Sequence, residues 1–185
     1  MNKGLARATG DVIGFLNSDD YYADTTILNR IADAFENSAV DACYGDLVYM
    51  TTDNKSVVRY WKSKMFAKGD FAKGWSPAHP TFYVRKSVIE RLGHFDLSYK
   101  LAADVEFMMR YLERGGVSVE YIPHVMVKMR LGGVSNQSWK SVVKQNMEIF
   151  RALHKNGIPF SIGYFSIIKL CNRLSQFVAG RLQRD

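Results

Sequence analysis

The chain has 185 residues, of which 47% are apolar and 23% charged, and its net charge is +7. This composition is typical of a globular domain with a sizeable core, and it excludes an intrinsically disordered chain. Residues 137–185 hold eight Lys or Arg and two acidic residues, whereas residues 1–136 are nearly neutral. We therefore expect no nucleic-acid face on the body, and we expect the basic tail to contact an anionic membrane surface or an acidic partner.

The two cysteines, Cys43 and Cys171, lie far apart and have no metal-binding or redox spacing. They indicate a reducing compartment and no disulfide framework. The first residues lack the apolar segment of a signal peptide, and no apolar run has the length of a membrane-spanning helix. We therefore expect a cytoplasmic protein.

The chain opens with a predicted helix over residues 2–9, followed by an apolar strand over Val12–Leu16. This apolar run, with glycine and polar residues on either side, is typical of a strand that is buried on both faces of a parallel sheet. Asp19 and Asp20 follow it, at the kind of strand end where ligands gather in open α/β sheets. Hard divalent cations prefer carboxylate oxygens, so the pair predicts a cation site. A turn, or a cap on the next helix, is the alternative that these two residues leave open.

The middle of the chain is predicted to alternate between strands and helices, which indicates an α/β fold with a mixed sheet. In chain order we predict a helix at 27–37, strands at 42–50 and 56–61, a loop or short helix at 62–75, a strand ending at Arg85, helices at 86–92 and 105–113, and strands at 117–122 and 125–131.

Two helices are predicted near the end, over 139–155 and 160–182. In the second, the basic residues lie apart from an apolar side formed by Ile162, Phe165, Leu170, Leu174, Phe177, Val178 and Leu182. This pattern suits a basic amphipathic helix at a membrane surface. A terminal helix docked on the core is the alternative. We divide the chain into a domain over 1–136 and a helical, basic segment over 137–185.

Three ordered blocks carry the candidate chemistry. They are Asn2-Lys3-Gly4 with Gly10-Asp11-Val12-Ile13-Gly14-Phe15-Leu16-Asn17-Ser18-Asp19-Asp20, then Gly93-His94-Phe95-Asp96 with Ala103-Asp104-Val105-Glu106-Phe107-Met108-Met109-Arg110, and finally Arg130-Leu131-Gly132-Gly133-Val134-Ser135. With these blocks, residues 2–135 resemble the inverting family 2 glycosyltransferases of the GT-A fold. Blocks in this order are more specific than any one of them.

The resemblance implies roles for the carboxylates. Asp19 and Asp20 look like the DxD-type motif, in which Asp20 holds a divalent cation (Mn²⁺ or Mg²⁺) and its neighbour contacts the nucleotide sugar. Asp104 corresponds to the general base that takes the acceptor proton. Asn17 and Ala103 depart from the usual acids of these motifs. From the residues alone, a helix N-cap is the alternative role for Asp104, and one residue can fill both roles.

Other side chains are candidates by residue type. Arg130 begins a Gly-rich segment that suits a loop closing on the diphosphate, with a simple hairpin as the alternative. Trp75 and His79 are candidates for a sugar or acceptor pocket, with burial and a structural histidine as their alternatives. His124 is a weak candidate for a further metal ligand, because no spacing supports it.

Members of this family begin with βα units that precede the opening helix of this chain. We therefore expect a GT-A-type, Rossmann-like fold that is N-terminally truncated, has weak or no activity alone, and exposes a sheet edge through which it could form a homo-oligomer. The expected donor is a nucleotide sugar, and the expected acceptor is a saccharide or lipid-linked molecule of surface polysaccharide or glycolipid biosynthesis at the inner face of the plasma membrane. A non-catalytic remnant or interaction module is the rival expectation.

Overall fold

The structure is a computed structural model, and it describes residues 1–130 and 139–181, the last without its side chain. Its strands are β1 (Val12–Gly14), β2 (Tyr21–Tyr22), β3 (Ala42–Met50), β4 (Val57–Trp61), β5 (Tyr83–Arg85) and β6 (Val119–Arg130). Its α-helices are α1 (Asn2–Leu5), α2 (Ile27–Glu36), α3 (Lys86–Leu92), α4 (Ala103–Met109), α5 (Trp139–Lys155) and α6 (Ile162–Arg181). Short 3₁₀ turns lie at Phe71–Lys73 and His79–Thr81, and a π-helical turn at Arg110–Arg114 extends α4.

The predicted α/β class with a mixed sheet flanked by helices is confirmed. The described strands form one sheet in the order β1-β5-β3-β6-β2, and β4 pairs with β3 outside this path. β1 and β3 are both antiparallel to β5, and β6 is parallel to β3. β1, β3 and β6 therefore run in the same direction, and their carboxyl ends share one edge of the sheet.

The prediction that the first strand is buried within a parallel sheet is wrong. β1 is three residues long, lies at the end of the sheet and pairs antiparallel with β5. Ile13 is buried, whereas Val12 and Gly14 are half-buried, because in the described ranges β1 has a single neighbouring strand. The expected free sheet edge is therefore at β1. The opening helix is also shorter than predicted and ends at Leu5.

The two strands predicted over 117–122 and 125–131 are a single strand in the structure. β6 continues through Pro123, which lies between the two predicted ranges. The register against β3 shifts around Asp46, so that Tyr44 pairs with Tyr121 but Asp46 pairs with Val125. This irregularity leaves Pro123 outside the regular ladder, where its missing N–H removes no strand hydrogen bond.

The core has two parts, one on each face of the sheet. β3 contributes to both, because its side chains alternate: Tyr44 packs with α4 and α5, and Leu47 packs with α2 on the opposite face. Ile149 and Leu153 of α5 and Phe165 of α6 belong to the same cluster as Tyr44. Both C-terminal helices therefore pack on the sheet domain, and the division at residue 136 stays a prediction.

Buried carboxylates fasten several loops to this core. Asp46 accepts hydrogen bonds from the Tyr121 hydroxyl and the Ser63 N–H at 2.8 and 2.7 Å. Glu113 on the π-helical turn accepts from the Gly69 N–H at 2.9 Å and from the N–H of Phe71, the first residue of a 3₁₀ turn, at 3.4 Å. Because these carboxylates are satisfied by hydrogen-bond donors, their burial is compatible with a stable core.

α6 packs closely on β4 and on the loop that ends at Trp75. A Cβ atom at Gly180 would lie 2.7 Å from the Val58 carbonyl oxygen, and one at Gly74, where φ is +74°, would lie 3.0 Å from the Phe165 carbonyl oxygen. Glycine at both positions allows the backbones to approach. The docked-helix alternative is therefore correct for this face of α6.

The predicted apolar side of α6 is partly wrong. Phe165 is 1% exposed and lies on the docked face with Lys169, whereas the opposite face exposes Ile167, Leu170, Leu174 and Val178. Leu182 lies outside the described residues. In the described ranges, none of the helices combines the length and apolar character that crossing a bilayer requires.

Replacing Gly180 with Ala should loosen α6, because the new methyl group meets the backbone of β4. We expect a loss of about 1–3 kcal/mol in the free energy of unfolding, measured by urea denaturation. Gly163→Ala in the same helix is the matched control, since a Cβ there has open space around it, and it should be neutral or stabilising. Equal effects of the two substitutions would contradict the close packing of α6.

Candidate active site

A cleft of about 880 Å³ lies at the edge where β1, β3 and β6 end. Asp19 reaches it from the segment after β1, Tyr49 from the end of β3, and Arg130 from the end of β6. The other walls come from the loop around Trp75, from the first turn of α4, and from the cleft-facing sides of α5 and α6. The cleft therefore occupies the sheet edge at which the sequence predicts a ligand site.

Most of the predicted site residues meet in this cleft. Asp19, Trp75, His79, Asp104 and Arg130 all line it. The Asp20 side chain is not part of the lining, and the next residue, Tyr21, pairs with Lys128 near the end of β6. The segment Gly132–Ser135, predicted to close over the diphosphate, lies outside the described residues.

Asp19 and Asp20 have different surroundings. Asp19 is exposed, whereas Asp20 is 8% exposed and accepts a hydrogen bond from the Asn17 side-chain amide at 2.7 Å. The second Asp20 oxygen, Oδ1, is buried and has no hydrogen-bond partner. Burial raises the pKa of Asp20, the Asn17 hydrogen bond opposes this, and the Asp19 carboxylate adds to the rise. Neither residue caps α2, whose N-cap is Thr26.

The surroundings of Asp20 fit a hard cation. A buried carboxylate oxygen without a donor is costly unless a cation or a proton pairs with it. The described residues contain no group of three or more His, Cys, Asp or Glu arranged for a metal, so a cation here would take most of its ligands from water and from a bound donor. His124, the weak candidate for a further metal ligand, pairs with Asp24, whose Oδ2 lies 2.9 Å from its Nε2.

Asp104 lies in the first turn of α4 and faces the cleft. The helix N-cap is Ala102, so the reading of Asp104 as the N-cap is wrong. Glu106 and Arg110 form an ion pair along the helix, with Arg110 Nε 3.0 Å from Glu106 Oε1. Arg110 also donates to the His94 carbonyl at 2.7 Å, which ties the turn after α3 to α4.

Glu148 of α5 holds the loop that leads into α4. One of its oxygens accepts the backbone N–H groups of Lys100, Leu101 and Ala102 at 3.0, 2.8 and 3.0 Å. Burial opposes ionisation of this carboxyl, but these three donors and Arg151 outweigh it, so the pKa of Glu148 is lowered. Glu148 thus fixes the loop immediately before Asp104, and sequence reasoning did not single it out because its partners are backbone groups about 46 residues away.

The two ring candidates are both half-buried. His79 stacks on Phe15, with ring centroids 5.6 Å apart, and meets Phe95 edge-on. Burial lowers the pKa of His79, against the opposing effect of the Asp104 carboxylate. Trp75 packs against Tyr44 and Phe66. Each ring therefore combines a packing role with access to the cleft.

Comparison with known proteins places these observations in a family. The sequence model described as "Glycosyl transferase family 2" matches residues 1–93. The chain is 28% identical over 140 residues to the "PGL/p-HBAD biosynthesis glycosyltransferase" of Mycobacterium bovis (strain BCG / Pasteur 1173P2), which covers 74% of this chain and 52% of that protein. The chain thus spans about half the length of the curated relatives it matches.

Solved structures share the fold. S. aureus TarS 1–349 matches with a TM-score of 0.53 and 15% identity, covering 96% of this chain and 50% of that one. Its complex with UDP-GlcNAc matches with a TM-score of 0.54 and 14% identity, covering 91% of this chain and 49% of that one. At these identities the likeness is one of fold, and it agrees with the predicted GT-A-type architecture.

Glu148→Gln should lower the free energy of unfolding by about 1–2 kcal/mol at neutral pH, because a neutral amide accepts three backbone N–H groups less well. The folded-state pKa of Glu148 is lowered from 4.5, so its contribution is present above that pH and is lost as the pH falls through the folded-state pKa. Urea denaturation at several pH values measures both effects.

Glu90→Gln is the control for this substitution, because Glu90 is exposed on α3 and the change in chemistry is identical. It should leave stability within about 0.5 kcal/mol of the wild type. A difference between Glu148→Gln and wild type that did not shrink below pH 4.5 would contradict the role of the Glu148 charge.

Proposed function

The chain belongs to glycosyl transferase family 2, and we propose that it transfers a sugar from a nucleoside-diphosphate sugar to an acceptor hydroxyl with inversion at the anomeric carbon. The observation that carries this proposal is the cleft that gathers Asp19, Asp104 and Arg130, together with the unpartnered Oδ1 of the adjacent residue Asp20. A nucleotide-sugar donor is further supported by TarS 1–349, which has been crystallised in complex with UDP-GlcNAc.

In this proposal, Asp20 holds a divalent cation, Mn²⁺ or Mg²⁺, and Asp19 orients the nucleotide sugar. A bound cation would neutralise the charge that develops on the leaving diphosphate. Arg130, exposed at the end of β6, adds a guanidinium on the same side of the cleft and suits phosphate oxygens. The donor would thus lie across the carboxyl ends of β1 and β6.

Asp104 is proposed as the general base. Attack of the acceptor hydroxyl on the anomeric carbon releases a proton, and a carboxylate within hydrogen-bond reach of that hydroxyl can accept it. Attack from the face opposite the diphosphate inverts the configuration. Trp75 offers a ring against which a sugar can stack, and His79 lines the same cleft.

Asp104→Asn should reduce sugar transfer, or donor hydrolysis where no acceptor is supplied, by about 100-fold or more, because the amide cannot accept the proton. Release of the nucleoside diphosphate from a panel of nucleotide sugars measures this. Asp33→Asn is the control, since Asp33 is exposed on α2 and does not line the cleft. An unchanged rate in Asp104→Asn would reject the base, and a wild-type chain without transfer or donor binding would favour the non-catalytic remnant.

The proposed setting is the inner face of the plasma membrane, in surface polysaccharide or glycolipid biosynthesis, with a saccharide or lipid-linked acceptor. Two exposed apolar rows support it, Trp139, Val143 and Met147 on α5 and Ile167, Leu170, Leu174 and Val178 on α6. Lys144 is exposed next to the first row. Apolar side chains with neighbouring lysines are the chemistry of a helix that lies on an anionic membrane.

Vesicles of phosphatidylcholine and phosphatidylglycerol should therefore co-sediment with the chain, and Leu170→Ser with Leu174→Ser should weaken this binding. Leu97→Ser is the control, because Leu97 is 80% exposed on a separate loop. Equal loss in the control, or no binding by the wild type, would reject the membrane surface.

Association through the edge of β1 is a separate proposal, and light scattering that gives the 21.1 kDa of one chain would reject it.

A further inference from the structure

The cleft carries more positive than negative side chains. Besides the carboxylates of Asp19 and Asp104, its described lining includes five cationic residues: Arg59, Lys100, Arg130, Lys169 and Arg173. A divalent cation at Asp20 would offset the two negative charges of Asp19 and Asp20, and Arg130 with one further cationic residue would match the two charges of a sugar diphosphate. Three cationic residues of the described lining then remain beside one further carboxylate, Asp104, so the cleft is suited to a second anionic group.

Two of the remaining cations are held in place by neutral partners. Lys169 Nζ donates to the Asn146 side-chain oxygen at 2.7 Å, and Arg59 Nε donates to the Gln176 side-chain oxygen at 2.6 Å. Lys169, Arg173 and Gln176 are spaced by four and three residues and share the docked face of α6. The close approach of α6 to β4 therefore places two helix cations beside Arg59 at the wall of the cleft.

No carboxylate of the described chain lies within ion-pair distance of Lys169 or Arg59. Burial, together with the Arg173 guanidinium, lowers the pKa of Lys169 to about 8, against the opposing effect of Asp104. Burial also lowers the pKa of Arg59, and Arg173 adds to this, while Tyr49 opposes it. Cations in such surroundings are stabilised when a ligand brings an anion to them.

On the premise of the proposed function, we propose that Lys169, Arg173 and Arg59 bind an oxyanion of the acceptor, a phosphate or a carboxylate, and so select negatively charged acceptors. The acceptor is favoured over the donor because the acceptor hydroxyl has to reach Asp104, and Asp104 and Lys169 are near enough to interact electrostatically. The donor diphosphate belongs with Asp20 and Arg130, which lie at the ends of other elements. α6 thus acts as a specificity element.

The test uses glucose 6-phosphate and glucose as a charged and an uncharged probe of the same sugar. NMR titration of the full chain, with Mn²⁺ and saturating UDP present, measures the affinity for each probe. The wild type should bind glucose 6-phosphate at least about tenfold more tightly than glucose, and Lys169→Gln should remove about tenfold of that affinity. Lys144→Gln on the exposed side of α5 is the matched control and should change little.

Separate titrations distinguish the two possible sources of the anion. The affinity of the Lys169→Gln chain for UDP with Mn²⁺ should stay within about threefold of the wild type. If Lys169→Gln weakens UDP as much as glucose 6-phosphate, the cations serve the donor and the proposal is overturned. Equal loss in Lys144→Gln, or equal wild-type affinity for the two probes, would also overturn it. Failure of the wild type to bind UDP would count against the proposed function, and glucose 6-phosphate titrated without UDP would still test Lys169.

Discussion

The parallel pairing of β3 with β6 is the constraint on which the cleft depends. Ladder contacts run from Ala42 opposite Val119 to Met50 opposite Arg130, so the two strands end together. β5 then places β1 in the same direction at the far side of β3. Side chains that are distant in sequence, from Asp19 to Arg130, thereby come to one edge of the sheet. Loss of this pairing would remove the floor of the cleft and separate the candidate residues.

Carboxylates that accept backbone N–H groups hold two loops next to the cleft in position. Glu148 holds the loop before α4, and Glu113 holds the loop before the 3₁₀ turn at Phe71–Lys73. Such loops lack a ladder of their own, so a fixed acceptor determines where they run. Asp104 and Trp75, which both line the cleft, follow these two loops. The position of Asp104, the candidate base, therefore depends on α5, which begins at Trp139, 35 residues later in the sequence.

Periodicity and turn residues predict most of the elements, because α2, β3, β4, α3 and α5 are set by local patterns of apolar residues and glycines. The β1 environment and the continuity of β6 through Pro123 could not be predicted, since both depend on which strands become neighbours. α6 shows the same limit. Its pattern predicted a single apolar side, but the close contact at Gly180 turns Phe165 and Lys169 inward and leaves Leu170 and Leu174 outside. The motif blocks located Asp19, Asp104 and Arg130, whereas Arg59, Lys169 and Glu148 become visible only through tertiary contacts.

In the proposed function, a cation at Asp20 joins the nucleotide to this cleft. Isothermal titration of UDP into the chain, with Mn²⁺ and then with EDTA, tests it most directly. We predict that Mn²⁺ increases the affinity for UDP at least about tenfold, that Asp20→Asn abolishes this increase, and that Asp33→Asn retains it. UDP affinity that is independent of Mn²⁺, or a Mn²⁺ effect that survives in Asp20→Asn, would contradict the account.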